Sequence, residues 1–386
     1  MTTLQTDLLK LGRNSKKYQG MVNPPIYRTT TKIYENIEEL WQDEVPIHTS
    51  IAYGRSGTPT VKELEKAASE LDQVNNAIAT TTGMSAIAIC FHSFLKAGDH
   101  LLISDAVYKC TRRFVDEELV KSGITATYYE PAIGVEIEEL ITPQTRMIYM
   151  ESPGSGTMEV QDVPLLTSIA KKHGIITVID NSWATPVFFK PFQQGVDIAI
   201  QSMTKYISGH SDNFLGIICA IDTVFKPIYA TAINYGAAPS PDSCYMALRG
   251  LRTLYVRLKQ HEASAIKVAK WLKTNPEVLS VMHPALPEST GHAIWKRDFT
   301  GSSGLFSFAV KADGEKIKLF MNSLKVFSIG LSWGGYESLL IPYKLHGLRN
   351  LTKNLLNDAY YFRIHVGLED PEDLIDDLRK AFTYFK

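Results

Sequence analysis

Long apolar runs are missing from this chain. No 18 consecutive apolar side chains occur anywhere in its 386 residues, which excludes a helix of the kind that crosses a bilayer. Cysteine is scarce: the four present, Cys90, Cys110, Cys219 and Cys244, form no C-x-x-C pair. A disulfide framework is therefore not expected, and the apolar runs around Cys90 and Cys219 read as buried free thiols in a reducing compartment. The ten histidines include no H-E-x-x-H or other paired metal spacing, so no metal site is expected. Excess charge of one sign is missing too. Forty basic residues stand against 41 acidic ones, a net charge of -1 that argues against nucleic acid as a partner. No Walker A sequence is present, and the nearest approach to a dinucleotide fingerprint, GSGTME from Gly154, lacks the third glycine. The opening MTTLQTDLLKLGRNSKK has no apolar core of a secretory signal, and a cytoplasmic protein is expected.

At 45% hydrophobic and 21% charged residues, the composition is that of a globular protein, and the length calls for more than one core. Residues 1–60, broken by Pro24, Pro25 and Pro46, read as an arm that must lie on another surface, either the main body or a second subunit. Residues 61–250 and 251–386 then form a larger and a smaller domain. In the larger one, VKELEKAASELD reads as a helix capped by Thr60, with Glu63 at the capping-box spacing. NAIATTTGMSAIAICFHSFLK reads as a strand, a turn at Gly83 and a helix to about Lys96. LLISDAVY, ITATYY, TRMIYME and ITVID follow as strands that are apolar on both faces, with helices between them. That alternation predicts an α/β fold with a mostly parallel sheet, whose ligands bind beyond the carboxyl ends of the strands. Residues 240–276 read as a helix pair or one bent helix with Gly250 as its weak point, and GLFSFAVK, KVFSI, LLIPY and FRIHV as strands of a small C-terminal α+β domain. Asp370 and Pro371 start the last helix.

Tyr108, Ser152, Asp180, Ser202 and Lys205 all fall at such strand ends. The stretch DIAIQSMTKYISGHSD carries the chemistry. A strand ending in Ser202 and Thr204 can hold a phosphate, and a lysine beside them, drawn from water, can lose its proton and attack an aldehyde. Pyridoxal phosphate requires that combination. Gly83 and Met84 fall at a helix N-terminus, where free backbone N–H groups bind anions. Asp180 could pair with a protonated ring nitrogen or merely cap the turn after it. Tyr108 could stack on a ring or be an aromatic at the core edge. Tyr53 and Arg55, two apart, face one side of an extended chain as a phosphate clamp or a solvated turn. Arg363, in the apolar FRIHV segment, calls for an anion: a substrate carboxylate or an internal partner.

S-M-T-K-Y-x-S-G-H-S-D, Y-G-R-S-G-T-P-T, T-T-G-M-S-A-I and S-W-G-G-Y-E-S-L, in that order, resemble the transsulfuration family of pyridoxal phosphate enzymes. ESPGSGTMEVQD and DNSWATPVFFKP look like its β-lyase subgroup; γ-acting relatives usually carry an asparagine near Gly154–Ser155 and another residue in place of Trp333. The resemblance implies the aspartate aminotransferase fold type. It implies Lys205 as cofactor-bearing base and proton shuttle, Asp180 on the pyridine nitrogen and Tyr108 on the ring. Gly83, Met84, Ser202 and Thr204 would hold the phosphate, with Tyr53 and Arg55 reaching it from a neighbouring subunit of a homotetramer. Tyr53 and Tyr108 would also serve catalysis, and Arg363, Ser332 and Trp333 would bind a small amino-acid substrate. The implied reaction is α,β-elimination, which takes L-cystathionine to homocysteine, pyruvate and ammonia. A γ-lyase or γ-synthase activity, an alanine racemase side activity and a non-enzymatic pyridoxal-binding regulator are the alternatives. Some bacterial members have a second arginine where this chain has Ser56, which bears on recognition of the substrate's far carboxylate.

Overall fold

The computed structural model describes residues 3–43, 51–343, 345, 349, 351, 356 and 359–385; Pro46 of the arm and Lys386 lie outside them. Seven strands form the larger sheet: β1 (Asn76–Thr80), β2 (His100–Ser104), β3 (Thr125–Tyr129), β4 (Thr145–Glu151), β5 (Ile176–Asp180), β6 (Ile198–Ser202) and β7 (Gly216–Ala220), in the order β1-β7-β6-β5-β4-β2-β3. All neighbours are parallel except β7, which runs antiparallel to both β1 and β6. Successive residues of β6 explain why its sequence is an unbroken apolar run. Ile198 and Ile200 enter one apolar layer and Ala199 the opposite one, because the pleat alternates and helices cover both faces. Each fully buried isoleucine contributes roughly 1.5–3 kcal/mol to the fold.

A second, antiparallel sheet joins β8 (Val278–Met282), β9 (Leu305–Val310), β10 (Leu339–Tyr343) and β11 (Tyr360–His365) in the order β10-β11-β9-β8. Its own core includes Phe306, Phe308, Phe362 and Leu374 of the last helix. KVFSI, expected as a strand, supplies only a single bridge from Ser328 to Leu339, and VLSVM, not expected, is β8. The partly exposed alternation of β8 is weak, whereas KVFSI is held by three backbone N–H groups donating to Asp377 and meets β10 at the Ser328 bridge rather than along a ladder.

Residues 240–276 fold as two helices, Pro241–Leu251 and Leu254–Lys273, broken after Gly250, where any Cβ would collide with the Ile207 carbonyl. The first long helix is Pro59–Asp72 and is capped by Thr58, not Thr60. Thr60 instead ties the arm down: its hydroxyl accepts from Tyr27 N–H at 2.8 Å and donates to Pro25 C=O at 3.0 Å. Glu63 likewise turns to the arm, accepting from Tyr18 and Lys17. Leu8 is buried in the main core, so the start of the arm packs on its own body. Further along, Ile33 and Trp41 remain 91% and 61% exposed.

Candidate active site

Parallel pairing brings the carboxyl ends of β4, β5 and β6 to one rim, with Glu151 opposite Asp180 in register. Beyond β6, Met203, Tyr206 and Ile207 are buried and anchor a tight turn in which Lys205 N–H donates to Ser202 C=O at 3.1 Å. Arg257, also buried, donates to the carbonyls of Tyr206 at 2.6 Å and Ile207 at 3.2 Å, which fixes the turn from below. The Lys205 side chain is left pointing at the 330–337 loop. Its Nζ donates to Ser332 Oγ at 3.0 Å and lies 5.2 Å from the centre of the Trp333 ring. Burial and then the Arg363 charge, opposed by Asp180, bring its pKa down to about 8. Gly334, at φ +83, passes so close that a Cβ would stand 2.8 Å from Tyr206 N and 3.0 Å from Lys205 Cα.

Asp180 accepts from Ser182 N–H at 2.9 Å, and burial raises its pKa. Glu151, whose neighbour Ser152 had been marked by the sequence in its place, is pushed up to about 8 by burial and then by Asp180. It accepts from Tyr108 N–H at 2.7 Å and from the Ser155 hydroxyl. The sequence shows it only as the last residue of TRMIYME; its place beside Asp180 comes from the sheet order. Tyr108 begins the helix Lys109–Phe114, and burial and then Cys110 push its phenol up to about 12.

Gly83 opens the helix Gly83–Phe94, with Thr82 and Ser85 forming the capping box. The remaining first-turn N–H groups, those of Gly83 and Met84, point out of the helix end. A Cβ on Gly83 would fall 2.8 Å from Ser202 Cβ and 2.9 Å from Ser202 Oγ, so only glycine lets this helix end meet the β6 rim. Ser202 N–H donates to Ser182 Oγ at 2.7 Å. The Thr204 hydroxyl is engaged with the backbone, accepting from Leu215 N–H at 3.0 Å and donating to Leu215 C=O at 3.2 Å. A depressed amine, a buried carboxylate and a helix end closed over a serine hydroxyl fit pyridoxal phosphate.

Arg363, on β11, donates to the carbonyls of Leu331 at 2.7 Å and Ser332 at 3.0 Å; among the described residues no carboxylate pairs with it. It is thus joined to Ser332, Trp333 and Lys205 in one cluster. Tyr53 and Arg55 are not: both are exposed, and Arg55 donates to Ile233 C=O at 2.7 Å. Ser56 sits beside them in the short turn Gly54–Ser56.

Residues 5–383 match the family described as Cys/Met metabolism PLP-dependent enzyme. An L-alanine/L-glutamate racemase of Wolbachia pipientis is 40% identical, over 97% of this chain and 96% of the relative. The cystathionine beta-lyase MetC of Escherichia coli is 38% identical, over 98% of each. The crystal structure of metB from Corynebacterium glutamicum superposes with a TM-score of 0.91 at 28% identity, covering 100% of this chain and 99% of that one. Matched almost end to end, the chain belongs to the Cys/Met metabolism PLP-dependent enzyme family.

Proposed function

We propose that this protein is a carbon–sulfur lyase that cleaves L-cystathionine by α,β-elimination to homocysteine, pyruvate and ammonia. The observation that carries the reading is the Lys205 amine, withdrawn from water, lowered to about 8 and held by Ser332 beside Trp333. The name of the E. coli relative supports the choice of substrate. When bound, pyridoxal phosphate supplies an aldehyde that takes the substrate amine and a ring that withdraws electrons from the α-carbon. Lys205 takes the α-proton as a neutral amine and returns a proton to the departing thiolate, with Ser332 orienting its Nζ. Arg363 binds the α-carboxylate, a partner for a guanidinium that among the described residues meets backbone carbonyls and no carboxylate. Asp180, whose ionised form Ser182 and Lys205 favour against burial, would pair with the ring nitrogen. Gly83 and Met84 N–H groups with the Ser202 hydroxyl would hold the phosphate, joined by Thr204 once its O–H turns from Leu215 C=O, and Tyr108, fixed by Glu151, would cover the ring.

Tyr53 and Arg55 act on the site of a neighbouring subunit in a homotetramer. Their exposure, and the exposed Ile33 and Trp41 of the same arm, support that assembly. The arm 1–60, a cofactor domain 61–250 and a C-terminal domain 251–386 are the proposed units, and four free thiols support a cytoplasmic setting.

The 40% identity to a racemase favours a second reading, since a base that removes an α-proton can return it to either face. One experiment separates them: product analysis with L-cystathionine and, in parallel, L-alanine. Pyruvate with homocysteine supports the lyase. 2-Oxobutyrate with cysteine, or D-alanine without any thiol, overturns it.

A further inference from the structure

Arg363 and His365 stand two residues apart on β11 and share one face of the strand. Arg363 reaches the carbonyls of residues 330–332. His365 lies one step deeper, 1% exposed, with its Nε2 3.1 Å from Gly334 N–H and 3.1 Å from Gly335 C=O. A neutral imidazole nitrogen makes one of these bonds at a time: bare Nε2 accepts from Gly334, or Nε2–H donates to Gly335. Either tautomer ties the ring to the same two-glycine turn. Burial keeps the pKa of His365 well below the ordinary histidine value, so the ring is neutral.

The ring has no room to swing away. It packs against Tyr206 at 5.8 Å and His261 at 5.3 Å between ring centres, and His261 Nδ1–H donates to Val366 C=O at 2.8 Å. The turn is equally confined, since Gly334 has a left-handed backbone pressed on Lys205 and Tyr206. Immediately before it come the two side chains that meet the Lys205 amine, Ser332 and Trp333.

We propose that His365 is a positioning residue: it fixes the Gly334–Gly335 turn and, through it, sets Ser332 and Trp333 against the Lys205 amine. It touches no reacting atom. The role rests on the reading of Lys205 as the base of the proposed reaction.

The test compares the holoenzymes of His365→Gln and His365→Phe with the wild type. Glutamine carries an amide to the Nε2 position; phenylalanine keeps the volume and has no polar atom. Two quantities are measured: kcat and KM for L-cystathionine, and the rate at which the apoprotein takes up pyridoxal phosphate, followed by absorbance. His365→Phe is expected to lower kcat at least about tenfold with KM changed less than about threefold, and to slow uptake by a similar factor; His365→Gln restores both to within about threefold of wild type. A His365→Phe protein within about twofold of wild type in both quantities overturns the proposal, as does a glutamine variant no better than the phenylalanine one. Should His365→Phe fail to fold, His365→Gln decides alone: near-wild-type values support the role and a tenfold loss overturns it. Should the wild type cleave no cystathionine, the substrate reading fails, and the uptake rates judge His365 by the same thresholds.

Discussion

Lys190 and Lys205 lie at different parts of the large sheet, and both are withdrawn from water with lowered pKa values. Lys190 follows the short helix Thr185–Phe188 and donates to Leu71 C=O at 2.6 Å; the Asp72 carboxylate beside it opposes the effect of burial. Asp72 in turn accepts from Gln201 at 2.9 Å. Lys205 has a neutral hydroxyl as its hydrogen-bond partner; Asp180 opposes its burial as Asp72 opposes that of Lys190, but a cation, Arg363, adds to it. Burial is common to both regions. The difference is the company: carbonyl and carboxylate make Lys190 a tie between two segments, while hydroxyl and guanidinium leave Lys205 with a proton it holds weakly.

The sharpest way to break this contrast is to remove each amine in turn. Lys205→Ala is expected to lower pyruvate release from L-cystathionine by at least about 10³-fold, because base and cofactor attachment are lost together. Lys190→Ala should leave turnover within about twofold at a temperature where it is folded; a comparable loss in both variants would erase the distinction. Next in size is Arg363→Leu. It should raise KM and reduce kcat/KM by about 10²-fold, the loss of a buried charge-assisted pair with a carboxylate. It should also move the pH midpoint of Lys205 labelling in the apoprotein upward, since the cation that opposes protonation is gone.

Stability separates the two lysines with opposite signs. The folded-state pKa of Lys205 is about 8, against an ordinary value of 10.5. Between those values the folded apoprotein binds fewer protons than the unfolded chain, so stability rises with pH across that window, and on acidification its loss is complete by about pH 8. Lys205→Met should therefore stabilise the apoprotein at pH 7, by about 2 kcal/mol after allowing for partial exposure, and flatten that rise. Lys190→Met should destabilise it, by about 1–3 kcal/mol, because Leu71 C=O loses its donor and Asp72 the cation beside it. Denaturant unfolding of the two apoproteins at pH 7 and 9 reads both signs. The smallest effect belongs to the helix cap at Thr58: Thr58→Ala should cost about 1 kcal/mol, with turnover unchanged.

Much of this arrangement was legible from the chain. Strand–helix alternation gave the parallel sheet, and the convergence of Asp180, Ser202 and Lys205 on strand ends gave its rim. β7 was not, because an antiparallel strand inside a doubly covered sheet has the same unbroken apolar pattern as a parallel one. The spacing of Thr60 to Glu63 is that of a cap, yet both residues serve the arm, a tertiary contact with no local signature. Glu151 escaped notice because its significance depends on register with Asp180, which only sheet order reveals. His365 escaped it because an alternating strand offers no way to distinguish a core histidine from one that braces a loop. Arg363 stood out for the opposite reason: a permanent charge in an apolar strand needs an explanation at once.

The claim on which all of this rests is that Lys205, and not Lys190 or another buried amine, joins pyridoxal phosphate. Borohydride reduction of the holoenzyme followed by peptide mapping tests it directly. The tag is expected on Lys205, within the peptide that contains Ser202–Tyr206. A tag on another lysine, or none, would contradict the account.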